Sequence, residues 1–459
     1  VTTAVVLGGG FAGMLAAAVL ARQADVTVVE SDSFPAGPAA RPGLPQAHHN
    51  HVLMGDGAVA LEQLLPGTMD ALLAQGARRH GMTGGALILG SAGWFVRHDT
   101  GAYAIACSRW LMDHVVRQRA LAGGDISVRE RTRMLGLTGD ASRVTGVVVQ
   151  SAGAAPEEIR ADLVIDATGR RSQARRWLAG IGVPPVAEDT VGSGLAYSTR
   201  VYRAPADLAA VMPAIMIHPA PGAGRPDQGA TLFPIEDDRW IVTLTGTRGG
   251  EPPVDERGFT AFAQSLRTAV VAELTAAAAP VGGIRPFGAT ANRRRYFERA
   301  RLPEGFLAIG DAVIAVNPMF SHGMSVAALS VLRLADELTR HGAQPSVLPR
   351  AQAAILAGAE RSWQVATGGG AQSPACRPVQ AAMALALPGS PVLLTEFFRA
   401  QALTPPAPAP RGSLEQELAR APGPSLTADE AIAQYPGLSD WWLATRRPRT
   451  GVPAGVGRP

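Results

Sequence analysis

Gly8-Gly9-Gly10-Phe11-Ala12-Gly13 sets out the pattern Gly-x-Gly-x-x-Gly between an apolar run, Ala4 to Leu7, and an apolar stretch, Met14 to Arg22. In a strand–turn–helix setting such glycines allow a tight turn, close approach of backbone to a pyrophosphate and close helix–strand packing. The helix start adds unpaired N–H groups and the positive end of a dipole, both suited to phosphate oxygens. A second apolar run, Val26 to Val29, ends in Glu30, an acid placed to accept hydrogen bonds from a ribose diol. Strand, helix and acid in one register imply dinucleotide binding by Gly8, Gly10, Phe11, Ala12, Gly13, Glu30 and Ser31. A glycine-rich turn without a ligand is the alternative that this register argues against.

Four further segments carry groups that would meet such a cofactor. The loop after Glu30 runs through Pro and Gly into Gln46-Ala47-His48-His49-Asn50-His51. Three histidines invite a zinc reading, but the spacing matches no usual ligand pattern and no cysteine or carboxylate cluster lies nearby. Gln46 and His49 are therefore expected to face the cofactor, with no metal. Ser108 suits a helix N-cap, which puts Arg109 on the first turn and aims it at the same cleft, a surface ion pair being its alternative role. A strand from Asp162 to Ile165 leads into Asp166-Ala167-Thr168-Gly169-Arg170, where Thr168 and Gly169 form a turn against the cofactor. Gly305 to Ile309 is a strand leading to Gly310-Asp311, and the Asp311 carboxylate suits ribityl hydroxyls. Beyond Asn317-Pro318, Gly323-Met324-Ser325 opens a long helix whose N-terminus can face the flavin N1–C2=O edge, which becomes anionic on reduction. These segments point to FAD rather than NAD.

Together these elements resemble the single-component FAD-dependent monooxygenases of the para-hydroxybenzoate hydroxylase structural class. Within it they are similar to bacterial flavin epoxidases of polyether polyketide biosynthesis. The likeness rests on Phe34 to Pro38, Leu44 to Ala47 with His49 and His51, and Leu64 to Thr68. It continues through Ala106 to Arg109, Pro234 to Asp237, Arg239 to Val242, Gly246 to Pro253, Asn292 to Arg294 and Gly310 to Ser325. It covers most of residues 4–340 and fades beyond. The chain departs from the pattern at Ser31 and His48, where arginine is expected, and at Ser321, where glycine is. The resemblance implies bound FAD, with NADPH or NADH docking transiently as reductant without a second Gly-x-Gly-x-x-Gly. It implies transfer of oxygen from a flavin C4a-hydroperoxide to an apolar polyene or polyketide-like substrate, with His322 either donating a hydrogen bond there or serving structure. The resemblance also extends to FAD-bound enzymes that close a decalin by a redox-neutral [4+2] cyclisation, in which the flavin is mainly structural. A non-catalytic flavin-binding protein would carry the same motifs.

The elements needed to position these groups define an α/β (α+β) architecture. We expect a discontinuous Rossmann-like FAD-binding domain of the GR2 type over 1–72, 100–186 and 285–345. A substrate-binding β-sheet domain is expected over 73–99 and 187–284, and a C-terminal helical region with a Pro-rich tail over 346–459. Strands read from Ala196 to Tyr202, Ala214 to His218, Ala230 to Pro234 and Trp240 to Gly246 would roof the flavin. Tyr197, Met216, Phe233, Trp240 and Phe320 are the candidates to line an apolar substrate cavity there, although plain core packing competes for each. Toward the C-terminus come a helical stretch from Val347, a loop over 367–374, a linker from Pro405 to Pro410 and a solvated tail from Arg446.

Composition narrows the class. With 459 residues, 47% hydrophobic and 17% charged, the chain has material for two or three cores. No apolar run is long enough for a membrane span, and the start has no signal-peptide features, so a cytoplasmic protein is expected. The formal charge is +4, yet the chain contains no lysine and its arginines are scattered, which argues against a nucleic-acid stripe. Cys107 and Cys376 stand far apart and are expected to be buried thiols.

Overall fold

Four apolar runs around the fingerprint pair as a parallel sheet, and a fifth strand closes its edge. The order is Phe306–Ala308, Leu163–Asp166, Thr3–Leu7, Asp25–Val29 and Ile126–Arg129, with every neighbouring pair parallel. Its three inner strands are almost wholly buried, as a sheet covered on both faces requires. Helices Phe11–Leu20, Arg109–Ala122 and Gly323–His341 share the core of one face. The other face meets the antiparallel strands Thr132–Gly139, Val144–Ser151 and Glu157–Arg160 and the helix Ala174–Gly180. Leu15, Leu20, Leu61 and Leu64 are fully buried in the first core, each contributing roughly 1.5–3 kcal/mol. The computed structural model describes residues 1–220, 226–368, 377–403, 416–418 and 425–446.

A six-stranded sheet stands across from the nucleotide sheet. Its order is Ala279–Phe287, Ala196–Arg203, Arg239–Gly246, Gln228–Ile235, Ala214–Ile217 and Ala86–Leu89, antiparallel except for the last pair. Side chains alternate between its faces with period two. Tyr202, Leu232, Trp240, Val242 and Leu244 go outward, onto helices Glu256–Ser265 and Val270–Ala277. Val201, Met216, Phe233 and Ile241 go inward, toward the nucleotide side. Trp240, expected in the substrate cavity, is therefore on the wrong face for it. Its register partner Tyr202 belongs to the outer core as well.

The described part of 346–459 is helical, as expected, and its helices are shared among three surfaces. Helix Leu348–Thr367 lies along Gly323–His341 and the nucleotide sheet. Helix Pro391–Gln401 packs Leu393, Leu394 and Phe398 beneath the inner face of the six-stranded sheet. Helices Ala428–Ala433 and Pro436–Arg446 cover its outer face, where the Tyr435 hydroxyl lies 2.6 Å from the carbonyl oxygens of both Thr83 and Ala86. Each amphipathic helix buries its own apolar stripe, and three separate surfaces offer a partner. Cys376, residues 369–374, the Pro405–Pro410 linker and the tail beyond Arg446 lie outside the described residues. Among the described residues no helix is long and apolar enough to cross a membrane.

Candidate functional site

The fingerprint glycines divide into two kinds. A Cβ on Gly13 would lie 1.8 Å from the carbonyl oxygen of Gly8, and one on Gly8, whose φ is +94°, would lie 2.8 Å from that of Ala167. These two let helix and strands approach each other. Gly10, Gly169 and Gly323 instead face open space, where an added Cβ would meet nothing closer than 3.7 Å. All three border one cavity of about 500 Å³. The cavity runs from Glu30 and Ser31, past Gly8, Phe11, Ala12 and Arg109, to Gln46 and His49. Thr168, Asp311, Pro318 and Met324 form its floor, and Tyr197 closes its sheet side. Free backbone edges along a narrow cleft, where any side chain would intrude, are what a dinucleotide needs.

At one end Glu30 accepts hydrogen bonds from the N–H groups of Gly9 (2.8 Å) and Asp32 (2.9 Å). Arg41, only 8% exposed, places Nη1 2.7 Å from Glu30 Oε2 and donates from Nη2 to the Gly9 carbonyl. Burial works against ionisation of Glu30, but the Arg41 charge and these hydrogen bonds together hold its carboxyl below the usual range. Arg41 was not legible in the sequence. It sits in a loop without periodicity, ten positions from the site where the family pattern puts arginine, and no spacing rule marked it.

At the middle of the cleft Arg109 donates to Asp113 at 2.8 Å and lies over the Phe11 ring. Ser108 caps its helix, accepting from the Leu111 N–H. The Asp311 carboxylate has no hydrogen-bond partner among the described residues. Burial raises its pKa, against the opposing charges of Arg170, Arg109 and Arg295. A half-buried carboxylate without a donor, beside the open edges of Gly169 and Gly323, fits a ligand rich in hydroxyls. Behind it Arg295, 1% exposed, donates to the carbonyls of Ala312 and Asp311 and to those of Arg170 and Ser172. It ties the two cavity-facing turns into one unit. Asp166 holds the second turn by accepting from the Thr168 N–H and hydroxyl and from Ser172.

The helix start at Gly323 has no side-chain cap. His322, the residue in cap position, turns away. Its Nε2–H donates to the Gln401 carbonyl at 2.9 Å, and its Nδ1, 3.0 Å from Ser362 Oγ, accepts from that hydroxyl. Burial lowers its pKa to about 4, so the ring is neutral. Both nitrogens are committed and the ring does not border the cavity, which corrects the catalytic role expected for His322. Ser325 is likewise no cavity residue: it is fully buried, with Oγ 2.5 Å from where a Cβ on Gly57 would stand. Gly310 and Gly13 lie behind the cavity wall and shape it through the backbone.

On the sheet side the expected substrate residues separate. Tyr197 borders the cavity, stacked on Phe287 at 16° with its hydroxyl donating to Asn317 Oδ1 at 2.9 Å. Met216 and Phe233 face the right way, but they belong to an apolar core shared with helix Pro391–Gln401 and do not border the cavity. Phe320 is half-buried beside the His322 ring, outside the cavity. The three histidines have separate partners. His49 Nδ1 lies 2.8 Å from Thr199 Oγ1, His51 Nδ1–H donates to the His49 carbonyl, and His48 meets Trp110 edge-on. Burial lowers the pKa of His49 to about 3 and that of His51 to about 4. Cys107 is a buried free thiol whose pKa burial pushes upward.

A glycine turn with open backbone edges, a buried acid, an unpaired carboxylate and an uncapped helix start, all under an antiparallel sheet, suit a flavin nucleotide. The chain belongs to the FAD binding domain family, which matches residues 1–342. It is similar to Protein Rv3254 of Mycobacterium tuberculosis, 33% identical over 341 residues that cover 71% of this chain and 70% of that protein. Its fold is that of flavoproteins of the para-hydroxybenzoate hydroxylase class. The p-nitrophenol 4-monooxygenase PnpA from Pseudomonas putida DLL-E4 superposes with a TM-score of 0.64 at 19% identity, over 88% of this chain and 98% of that one. The Diels-Alderase PyrE3 of pyrroindomycin biosynthesis superposes with a TM-score of 0.59 at 16% identity, over 88% and 81%.

Proposed function

We propose that the protein is an FAD-dependent monooxygenase that transfers oxygen to an alkene of an apolar polyene or polyketide-like substrate. The observation that carries this reading is the uncapped helix start at Gly323 and Met324, open to the cavity. Its N–H groups and dipole favour negative charge at the position where a reduced flavin would carry it. Gly10, Phe11 and Ala12 would hold the pyrophosphate, Glu30 with Arg41 the adenosine ribose, and Arg109 with Asp311 the ribityl chain. Bound there, FAD would supply two-electron chemistry with NADPH or NADH and the activation of O₂. The remaining work belongs to the chain. Arg109 and the helix start stabilise negative charge, while Tyr197 and Phe287 keep water from the sheet side. An electron-rich alkene needs no enzyme base to accept an electrophilic oxygen, so His322 can serve structure alone.

The test is to follow the absorption of the purified flavoprotein under argon with NADPH and with NADH, then admit air in the presence of 1,7,9-decatriene, an apolar polyene probe that holds both a conjugated diene and a separate alkene. Bleaching, probe-dependent recovery and a product heavier by one oxygen atom support the reading. A flavin that stays oxidised while the probe is turned over to an isomer refutes it. That outcome would favour a redox-neutral [4+2] cyclase, the reading to which the fold likeness with PyrE3 lends support.

A further inference from the structure

We propose that Asp113 is the positioning residue of Arg109: it aims the guanidinium into the cleft and, as its counter-ion, sets the reduction potential of a flavin bound there. The inference rests on the flavin-site reading above and names what regulates that site.

Asp113 stands four positions beyond Arg109 on helix Arg109–Ala122, so the two side chains meet on one face. Both are buried, at 7% and 9% exposure. A single bond joins them, from Arg109 Nε to Asp113 Oδ1 at 2.8 Å. Asp113 Oδ2 is buried with no hydrogen-bond partner among the described residues. The buried pair at Glu30 is built differently. One of its carboxylate oxygens meets Arg41 and the Gly9 N–H, and the other meets the Asp32 N–H and the Ser31 hydroxyl. A guanidinium can close on a carboxylate with two parallel bonds, and a pair that served stability alone would gain from doing so. A buried carboxylate oxygen left unpaired costs free energy instead. What the single bond provides is direction. Nε is turned back onto its own helix, and Cζ lies 5.6 Å from the centre of the Phe11 ring. Nη1 and Nη2 are left without a partner among the described residues, on a side chain that borders the cavity.

The same contact governs the charge that the cleft feels. Alone, Arg109 would bring a full positive charge to the cavity wall. With Asp113 bonded to it the pair is neutral overall and presents N–H groups to the ligand. A flavin gains negative charge on reduction, so Asp113 restrains the stabilisation that Arg109 offers. Asp113 does not border the cavity, so its effect is not a contact with the ligand. Arg117 also feels the Asp113 charge, but it donates to the Pro35 carbonyl and lies outside the cavity.

The test is the midpoint potential of the FAD-loaded protein, read from flavin absorption against a reference dye, together with titrations of FAD and of ADP. Asp113→Asn keeps an oxygen for Nε and removes the charge. It should favour reduced flavin about tenfold, a rise of about 30 mV for a two-electron couple, with FAD affinity within about threefold of wild type. Asp113→Glu restores the charge and should hold the potential within about threefold of wild type in the same ratio. Asp113→Leu removes the oxygen as well and releases Arg109. Its FAD affinity should fall about tenfold, while ADP, which lacks the flavin half, binds as before. Should Asp113→Asn not hold FAD, Asp113→Ser, uncharged but with an acceptor, carries the potential measurement. An unchanged or lower potential in the uncharged variant, a potential in Asp113→Glu as high as in Asp113→Asn, or equal losses of FAD and ADP in Asp113→Leu overturns the inference. Wild-type protein that holds no FAD overturns the flavin reading with it, whereas FAD-loaded protein whose potential ignores the charge at position 113 overturns the inference alone.

Discussion

Gly10 and Gly13, two glycines of one motif, should fail in opposite ways when each is changed to alanine. In Gly13→Ala the new Cβ stands 1.8 Å from the Gly8 carbonyl oxygen, far inside the roughly 3.5 Å of optimal contact. Both atoms belong to the frame of strand and helix, so helix Phe11–Leu20 must move away from the parallel sheet. Overpacking of this kind costs about 1–3 kcal/mol, and here the upper end applies. The better helix propensity of alanine returns about 1 kcal/mol. A net loss of about 2 kcal/mol is expected without any ligand present. Gly10→Ala differs. Its φ is −81°, ordinary for alanine, and the Cβ meets only Arg41 Nη2 at 3.8 Å. The empty protein should lose about 0.5 kcal/mol, from a weaker helix cap. The Cβ does project into the space assigned to the pyrophosphate, though. Losing one or two charge-assisted hydrogen bonds at about 1.5–3 kcal/mol each should weaken FAD binding by about ten- to a hundredfold or more. Chemical denaturation of the FAD-free proteins and FAD titration by fluorescence quenching separate the two effects. Wild-type affinity in Gly10→Ala would mean that the cavity does not hold the pyrophosphate. Wild-type stability in Gly13→Ala would mean that the close packing derived for helix and strand is wrong.

Arg41→Met leaves the buried Glu30 carboxylate unpaired and should cost about 3 kcal/mol at pH 7. Because the folded-state pKa of Glu30 is depressed, the contribution of the pair is present above the ordinary glutamate pKa and is lost as pH falls through the depressed folded value. Urea unfolding should therefore show the gap between wild type and variant closing in acid; a gap that ignores pH contradicts the pairing. His49, His51 and His322 are all held neutral, with pKa values lowered to about 3, about 4 and about 4. The unfolded chain takes up protons below 6.5 while the folded one does not, so stability should fall as pH drops from 6.5 toward 4. At 1.36 kcal/mol per pH unit His322 alone accounts for about 3 kcal/mol of that loss. His322→Gln should flatten the slope measured between pH 7 and pH 5, and an unchanged slope would remove His322 from the account. Trp240→Phe deletes an indole N–H that is buried without a partner. It should shift stability by about 1 kcal/mol or less and leave FAD affinity and flavin absorption untouched. A changed flavin spectrum would put Trp240 back in the cavity.

The local order of residues was enough to identify the nucleotide half of this protein. The fingerprint, Glu30, the Thr168–Gly169 turn, Asp311 and the Gly323 helix start are short-range patterns, each written within a single strand–turn–helix unit. Backbone conformation settles where such a unit presents its ligand edge, so the spacing alone placed these groups along one cleft. What depended on contacts between distant segments could not be read that way. Arg41 meets Glu30 because an irregular loop folds back, and no periodicity encodes that return. Trp240 and Phe233 look alike in sequence, yet sheet register sends one outward and the other inward, and a shift of one residue would exchange them. His322 follows directly on a turn that borders the cavity, but Ser362 and Gln401, far along the chain, claim both of its nitrogens. The C-terminal helices advertise apolar stripes without saying which surface will cover them. The turns that border the cavity are local and so were legible; the sheet side, assembled from six strands and the helices that pack against them, was decided by tertiary structure because a side chain's role there depends on which distant neighbour it meets.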